Sequence, residues 1–392
     1  MKLFLIKIGK AWDVLCRDGI VRGSKRVMFA FLKLFRRVFP GDVLFISNGV
    51  GDSARYRTVH MAEMLKKQGV RASVTVQDNP FLPSYAKQFS VFVFHRTLFS
   101  RNVEKLLARA KTLGKEIIFE TDDLVYDPMF LQHMDYFNQM NVFERKLYEN
   151  GVGGEILSDP YVKVCTTSTT YLAEKLREKK KQVFVVRNCL SQEDITNAET
   201  IMMRKTKRDM FVRLAYFSGT PSHNKDFATI TDALLAVMER YPQTKLVLAG
   251  PLDADDRLNM VKDRIERVLF SPRRDHFGNI ATVDINLAPL EIGNPFCEAK
   301  SELKWFEAGL LAIPTVASGT QTFHEAITDG VDGFVASTTA EWIEKISCLV
   351  EDTTFRQMMG KNAHETVLKK YTTEHGDEEY IRYIKSKLAR KI

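Results

Sequence analysis

The chain has 392 residues, 45% of them apolar and 27% charged, a globular composition whose length suits two or three domains. No run reaches the ~18–20 apolar residues of a membrane-spanning helix, and five scattered cysteines (Cys16, Cys165, Cys189, Cys297 and Cys348) in no metal-like spacing read as reduced thiols of a cytosolic protein. The net charge of +8 sits in the first 40 residues, where ten basic side chains face only Asp13 and Asp18, so the neutral remainder argues against a body built to bind nucleic acid.

The opening MKLFLIKIGKAW makes a poor signal peptide, because Lys7 and Lys10 break its apolar run. From Ser24 to Phe39, SKRVMFAFLKLFRRVF has helical periodicity, with Ser24 placed as an N-cap. At ~100° per residue Val27, Phe31, Leu34, Phe35 and Val38 share one face, and Lys25, Arg26, Lys33, Arg36 and Arg37 the other. Residues 1–40 therefore read as a basic amphipathic helical extension. It suits the surface of an anionic membrane; a helix packed on the body with a solvated basic face is the alternative.

After Pro40 the grammar changes. Val43 to Ser47 is a continuous apolar run of the kind buried in a parallel sheet. ASVTVQD, VFVFHR, EIIFETDD, YVKVCTTS and QVFVVRN follow as strands, most of them separated by helical segments such as RNVEKLLARAKTLG and TTYLAEKLREKK. Leu190 to Met210 is polar and charged and reads as a linker. Strands then resume in VRLAYFSGT, TKLVLAG, VLFS, VDINLAP, PTVAS and GFVAS, and the chain closes in helices. The expected fold is α/β: two Rossmann-like doubly wound domains, residues 41–200 and 201–372, facing a cleft. A C-terminal helix occupies 373–392, and packing back on the N-terminal domain is one arrangement for it.

Ligands of such folds sit outside the carboxyl ends of strands, and three loops there carry cations. KSELKWFEAG reads as a helix over 299–308, with Lys300 and Lys304 an i,i+4 pair near its N-terminus. The like-charge pair costs about 0.2–0.5 kcal/mol, and its place against the macrodipole about 0.3–1 kcal/mol more. An anion between the lysines reverses both signs, and first-turn amides such as that of Ser301 add donors. The alternative is a solvated face on which Glu307 offsets the lysines. YFSGTPSHNKDF sets Ser218, Gly219 and Thr220 in a turn that lets amides approach a ligand, with Lys225 at the start of the next helix. SNGVGDSARYR sets Gly49 and Gly51 in a close-approach turn, with Arg55 and Arg57 behind it. It lacks the full GxGxxG and the acid about 20 residues on, so no dinucleotide is inferred. Three cationic strand-end loops suit a diphosphate.

On these residues the chain resembles the retaining nucleotide-sugar glycosyltransferases of family 4, which have the GT-B fold and are also grouped as glycosyl transferases group 1. FEAGLLAIPTVAS is similar to their Glu-bearing helix, glycine and PVVAS-like strand; VDINLAPL to an aDv.l.P strand; TKLVLAG to a glycine-ended strand; DGVDGFVAS to a G.DG turn. The resemblance runs from about Asp42 to the C-terminus, specific in the second half and diffuse in the first. KSELKWFEAG resembles a bacterial subgroup associated with cell-surface polysaccharides.

The resemblance implies a glycosyltransferase that moves a sugar from a nucleoside diphosphate donor to a glycan with retention, without cofactor or metal. Glu307 matches the acid that holds the donor ribose, while the first acid of the family's pair falls at Ala299, beside Glu298. Lys225 matches the diphosphate lysine. The arginine usual before it is replaced by Ser218 to Thr220, so Lys300 or Lys304 is expected to supply the charge that the leaving diphosphate requires. The N-terminal domain is expected to bind the acceptor. Thr121, Asp122 and Asp123 stand where many relatives keep a histidine. Asp122 is expected to take the acceptor proton or to hold another acceptor hydroxyl, with a turn acid as the plainer alternative. Arg55, His95 and Asp123 complete the candidate acceptor residues, His95 fitting a structural role equally well. With the basic extension, this implies a lipid-linked acceptor and a peripheral place on the inner face of the cytoplasmic membrane. A soluble transferase with a small-molecule or protein acceptor, and a non-catalytic relative binding a glycan or partner subunit, are the rival readings.

Overall fold

Strands that are apolar without alternation must be covered on both faces, and β1 (Val43–Ser47) and β3 (Val91–His95) are buried at every position. With β2 (Ala72–Val76), β4 (Glu116–Thr121), β5 (Val164–Thr167) and β6 (Gln182–Val185) they form a sheet ordered β2-β1-β3-β4-β5-β6. A second sheet, ordered β12-β11-β10-β7-β8-β9, is built from β7 (Val212–Phe217), β8 (Thr244–Ala249), β9 (Ile265–Val268), β10 (Ile285–Ala288), β11 (Thr315–Ser318) and β12 (Phe334–Ala336). All the pairings between these strands are parallel. The structure is a computed structural model that describes residues 9, 19–134, 137, 140, 142–204, 209–219, 224–269, 271 and 273–389.

The expected pair of doubly wound halves is present. One unit holds the residues up to Cys189 together with those from Gly376 on, and the other holds Leu190–His375. In the first unit, helix Glu378–Ala389 sends Tyr380, Ile381 and Ile384 into a core with Val43, Val91 and Val164, and Tyr383 Oη donates to Glu116 at 2.7 Å. In the second, Leu214, Leu246 and Ile285 of three strands meet Phe227 and Trp342 from the helices. Strand order reverses between β1 and β3 in one sheet and between β7 and β10 in the other. The carboxyl ends at those two switch points are where doubly wound sheets bind ligands.

Several elements differ from expectation. The expected linker 190–210 contains a helix, Gln192–Met202, opened by a capping box between Ser191 and Asp194. β9 ends at Val268 instead of running through VLFS, and Leu269 beyond it is exposed. Most of the first 18 residues of the expected extension lie outside the described residues. The helix that follows is Ile20–Leu34, so Ser24 lies inside it and is not its N-cap; Gly19, at φ 76°, turns the chain into its first turn instead. Its apolar side is incompletely covered: Val27 and Leu34 are half-buried, whereas Phe31 and Phe35 are exposed, as are Phe29 and Leu32 on the basic side. Beyond the helix, the Arg36 carbonyl accepts from Asn79 Nδ2 at 2.8 Å and the Arg37 guanidinium lies 4.6 Å from the centre of the Phe81 ring. These contacts moor the segment beside the carboxyl end of β2.

Candidate functional site

KSELKWFEAG does not form the single helix expected over 299–308. A short helix, Pro295–Glu298, is capped by Asn294; the chain then breaks, and a second helix runs Leu303–Leu310. The break has a packing cause. Phe296 and Trp305 are nine residues apart, so a continuous helix at ~100° per residue would set them on opposite faces, yet both are buried. Trp305 is wholly enclosed and donates its Nε1–H to the Asp332 carbonyl at 2.8 Å. Gly309 does not end the helix. It lies inside it, where an added Cβ would come within 2.9 Å of Val367 on helix Thr353–Lys370.

The lysines nevertheless stay together. Lys304, in the first turn of the second helix, donates its ammonium to the carbonyl of Phe217, the last residue of β7, and lies 4.9 Å from the centre of the Tyr216 ring. Desolvation is the main cause that pushes its pKa down to about 8; Lys300 acts in the same direction, and Glu307 and Asp226 oppose it. Lys304 therefore stands directly behind Ser218 and Gly219, at the β7–β10 switch point. That turn is braced from behind by Gly250: a Cβ there, at φ 85°, would lie 2.0 Å from the Ser218 carbonyl oxygen. Lys225 is exposed on helix Asn224–Ala228. Its neighbour Asp226 accepts from Cys297, whose Sγ donates at 3.1 Å, and from Glu291 N at 3.3 Å. These bonds fix the Lys225 helix to the segment leading to Lys300 and Ser301. Thr220 lies outside the described residues.

Glu307 shares the Lys304 helix and is buried. Arg273 Nη1 donates to its Oε1 at 2.7 Å, and His276 Nε2 lies 3.3 Å from its Oε2. Arg273 Nε also donates to Asp194 Oδ1 at 2.9 Å. These contacts orient the Glu307 carboxylate. Glu298, beside Ala299, does something else: its two oxygens accept from Gly293 N at 3.0 Å and Gln321 N at 3.1 Å, pinning two loops.

In the first unit, Asp122 stands at the end of β4 and His95 at the end of the adjacent β3. Ser53 Oγ donates to Asp122 Oδ2 at 2.7 Å, and His95 Nε2 lies 3.2 Å from both Asp122 Oδ1 and Ser53 Oγ. Burial works against the charge of Asp122, but the Arg96 guanidinium, with His95 and Arg57, outweighs it and holds the carboxyl well below the usual carboxylate range. Such a carboxylate is a weak base; the geometry suits it to orienting Ser53 and His95. Arg96 itself takes φ 45°, a left-handed conformation costly for a side chain of its size and concentrated at functional sites. Asp123 is a turn acid: its Oδ1 accepts from Leu124 N at 2.8 Å, and Arg96 Nη2 lies 3.3 Å from its Oδ2. Arg55 is half-exposed, 3.8 Å from Asp52. Arg57, expected behind the glycine turn as a strand-end cation, is fully buried in a bidentate pair with Glu120 at 2.8 and 3.0 Å.

The structure thus brings Ser218, Gly219, Lys300, Lys304 and Glu307 to one strand end of the second unit, and His95 and Asp122 to one strand end of the first. The sequence reading missed Ser53, Arg273 and His276 as site residues. SPRRDHF, just past β9, carries two arginines and a histidine at a strand end, the same signal that selected the other loops.

Residues 231–382 match the family model described as Glycosyl transferase-like. No curated protein matches the chain. Among solved structures, HepE of Anabaena in complex with UDP and glucose is similar at TM-score 0.52 and 13% identity, over 90% of this chain and 100% of that one. Sucrose-phosphate synthase from Thermosynechococcus elongatus is similar at TM-score 0.55 and 12% identity, over 89% and 98%. WaaG, a glycosyltransferase involved in lipopolysaccharide biosynthesis, is similar at TM-score 0.53 and 14% identity, over 87% and 99%. At these identities the likeness is one of fold. The chain carries a glycosyltransferase-like domain on the α/β fold of GT-B glycosyltransferases, and together these support a glycosyltransferase.

Proposed function

We propose that the chain moves a sugar from a nucleoside diphosphate sugar to a glycan acceptor, lipid-linked and destined for surface polysaccharide, with retention of configuration as in family 4. One observation carries the reading: Lys304 is fixed to the end of β7 behind the Ser218–Gly219 turn, with Glu307 on the same helix. In this reading Lys225, Lys300 and Lys304, with the amides of Ser218, Gly219 and Ser301, hold the diphosphate, and Glu307 accepts ribose hydroxyls. Negative charge grows on the diphosphate as the glycosidic bond breaks, and cations already in place stabilise it without reorganisation. Among the described residues, a Cβ added to Gly49, Gly51 or Gly219 meets nothing within 4 Å, and none of the three has a left-handed φ. Packing against those residues gives no reason for glycine there; close approach of a ligand does.

Ser53, His95 and Asp122 hold the acceptor side. Asp122 is engaged by Ser53 and Arg96, and in this reading the attacking hydroxyl gives its proton to the departing phosphate oxygen, on the same face of the sugar. The N-terminal segment supports a lipid-linked acceptor and a place on the inner face of the membrane. Phe29, Phe31, Leu32, Phe35 and Phe39 are each more than half exposed, Lys25, Arg36 and Arg37 are exposed among them, and the segment is moored beyond the carboxyl end of β2, in the sheet whose β3 and β4 end at His95 and Asp122. Such a surface fits anionic lipid. Among the described residues no helix is long and apolar enough to cross a membrane.

The test is turnover of UDP-, GDP- and dTDP-sugars by the purified chain, expected to vanish in Lys225→Ala and Glu307→Ala. Flotation with anionic vesicles is expected to require residues 1–39. Nucleotide binding without turnover would favour the non-catalytic relative, transfer without vesicle binding the soluble transferase, and no nucleotide binding would end the reading.

A further inference from the structure

One guanidinium in the second unit is shared by two buried carboxylates. Arg273 opens helix Arg273–Ile280, and its side chain is 9% exposed. Its Nε reaches Asp194 Oδ1 at 2.9 Å and its Nη1 reaches Glu307 Oε1 at 2.7 Å. Asp194 is itself held, its Oδ2 accepting from Ser191 N at 3.1 Å and Ser191 Oγ at 2.9 Å. One turn along the Arg273 helix, His276 Nε2 meets the other Glu307 oxygen at 3.3 Å.

We propose that Arg273, braced by Asp194, is the positioning residue that makes Glu307 a reader of the donor ribose; this rests on the reading that Glu307 faces the nucleotide. A glutamate has three side-chain torsions, the last of them broad, and an unheld carboxylate surrenders that freedom when it accepts ribose hydroxyls. Arg273 removes it beforehand. The planar fork fixes the direction of each N–H, so a carboxylate bound to Nη1 inherits an orientation set by Asp194 at Nε. Charge points the same way. Asp194 and Glu307 bring two negative charges near a site for a dianionic group, and Arg273 cancels one of them. A lysine at this position keeps the charge but presents a point ammonium without the fork.

The experiment is calorimetric titration of the full chain with UDP and with 2′,3′-dideoxy-UDP, and with GDP and 2′,3′-dideoxy-GDP. The readout is the ratio of the two dissociation constants for the base that binds. The unmodified chain is expected to favour the ribose form by about tenfold or more, roughly one well-made hydrogen-bond set. Arg273→Ala is expected to bring the ratio down to that of Glu307→Ala, and Arg273→Lys to leave it in between. A merely structural arginine would weaken both nucleotides alike and leave the ratio unchanged, and that result overturns the proposal. If Arg273→Ala does not fold, Arg273→Lys decides: an unmodified ratio in it sinks the idea. An unmodified chain that binds both forms equally also sinks it, while leaving nucleotide binding intact. A chain that binds none of the four nucleotides, and no dTDP either, removes the donor reading itself.

Discussion

Lys304 offers a quantitative test of the phosphate site through pH. Its pKa, lowered chiefly by desolvation, lies at about 8, so its ammonium is mostly present at pH 7 and mostly lost by pH 8.5. If only the ammonium form holds a diphosphate, the apparent Kd scales as 1 plus 10 raised to (pH − 8), a weakening of about fourfold between pH 7 and 8.5. Binding at pH 8.5 would then take up roughly 0.75 of a proton, readable by calorimetry in two buffers of different ionisation enthalpy. Lys304→Arg stays charged throughout, so only the nucleotide's own groups titrate in it, and its Kd is expected to stay flat. Stability responds with the opposite sign. The folded pKa lies below the unfolded value near 10.4, so between the two the unfolded chain binds more protons and stability rises with pH. Below pH 8 the fold carries a cost on the order of 3 kcal/mol for this one charge. Lys304→Met at pH 7 is therefore expected to keep or gain resistance to urea while losing nucleotide affinity. A Kd that does not move between pH 7 and 8.5, or proton release on binding, refutes Lys304 as a phosphate ligand.

Three further outcomes test the surroundings. Arg57→Ala strands Glu120, which is left fully buried without its bidentate partner, and is expected to cost about 3–5 kcal/mol in urea unfolding; a loss under about 1 kcal/mol would show that the pair contributes little. Gly250→Ala forces a side chain into φ 85° and against the Ser218 carbonyl, so nucleotide Kd is expected to rise several-fold; an unchanged Kd would separate that turn from the donor. Asp122 is held well below the ordinary carboxylate pKa, so it contributes stability that is present above about pH 4 and lost as the pH falls toward its folded value. Asp122→Asn is expected to flatten the acid limb of the urea midpoint, and an acid limb identical to that of the unmodified chain would count against the Arg96 pairing.

What could be read in the sequence, and what could not, divides by distance along the chain. Runs such as VLFIS and TKLVLA announce parallel strands because burial on both faces is a local property of five or six residues. Strand order is not local: that β3 and β4 are neighbours, and so bring His95 against Asp122 across 27 positions, follows only from the assembled sheet. The same limit explains Arg57. Beside a glycine turn it looks like a ligand for an anion; its partner Glu120, 63 positions away, turns it into a structural buried ion pair. Glu307 shows the opposite case. Its place one turn beyond Lys304 could be read from spacing, but the residue that orients it, Arg273, lies 34 positions upstream. The lysine segment combines both. Helical periodicity set Lys300 and Lys304 on one face of one helix; the need to bury Phe296 and Trp305 broke that helix, and the two cations stayed close enough for one to lower the pKa of the other. Holding like charges close together in a desolvated place costs free energy, which a dianion bound as proposed would offset.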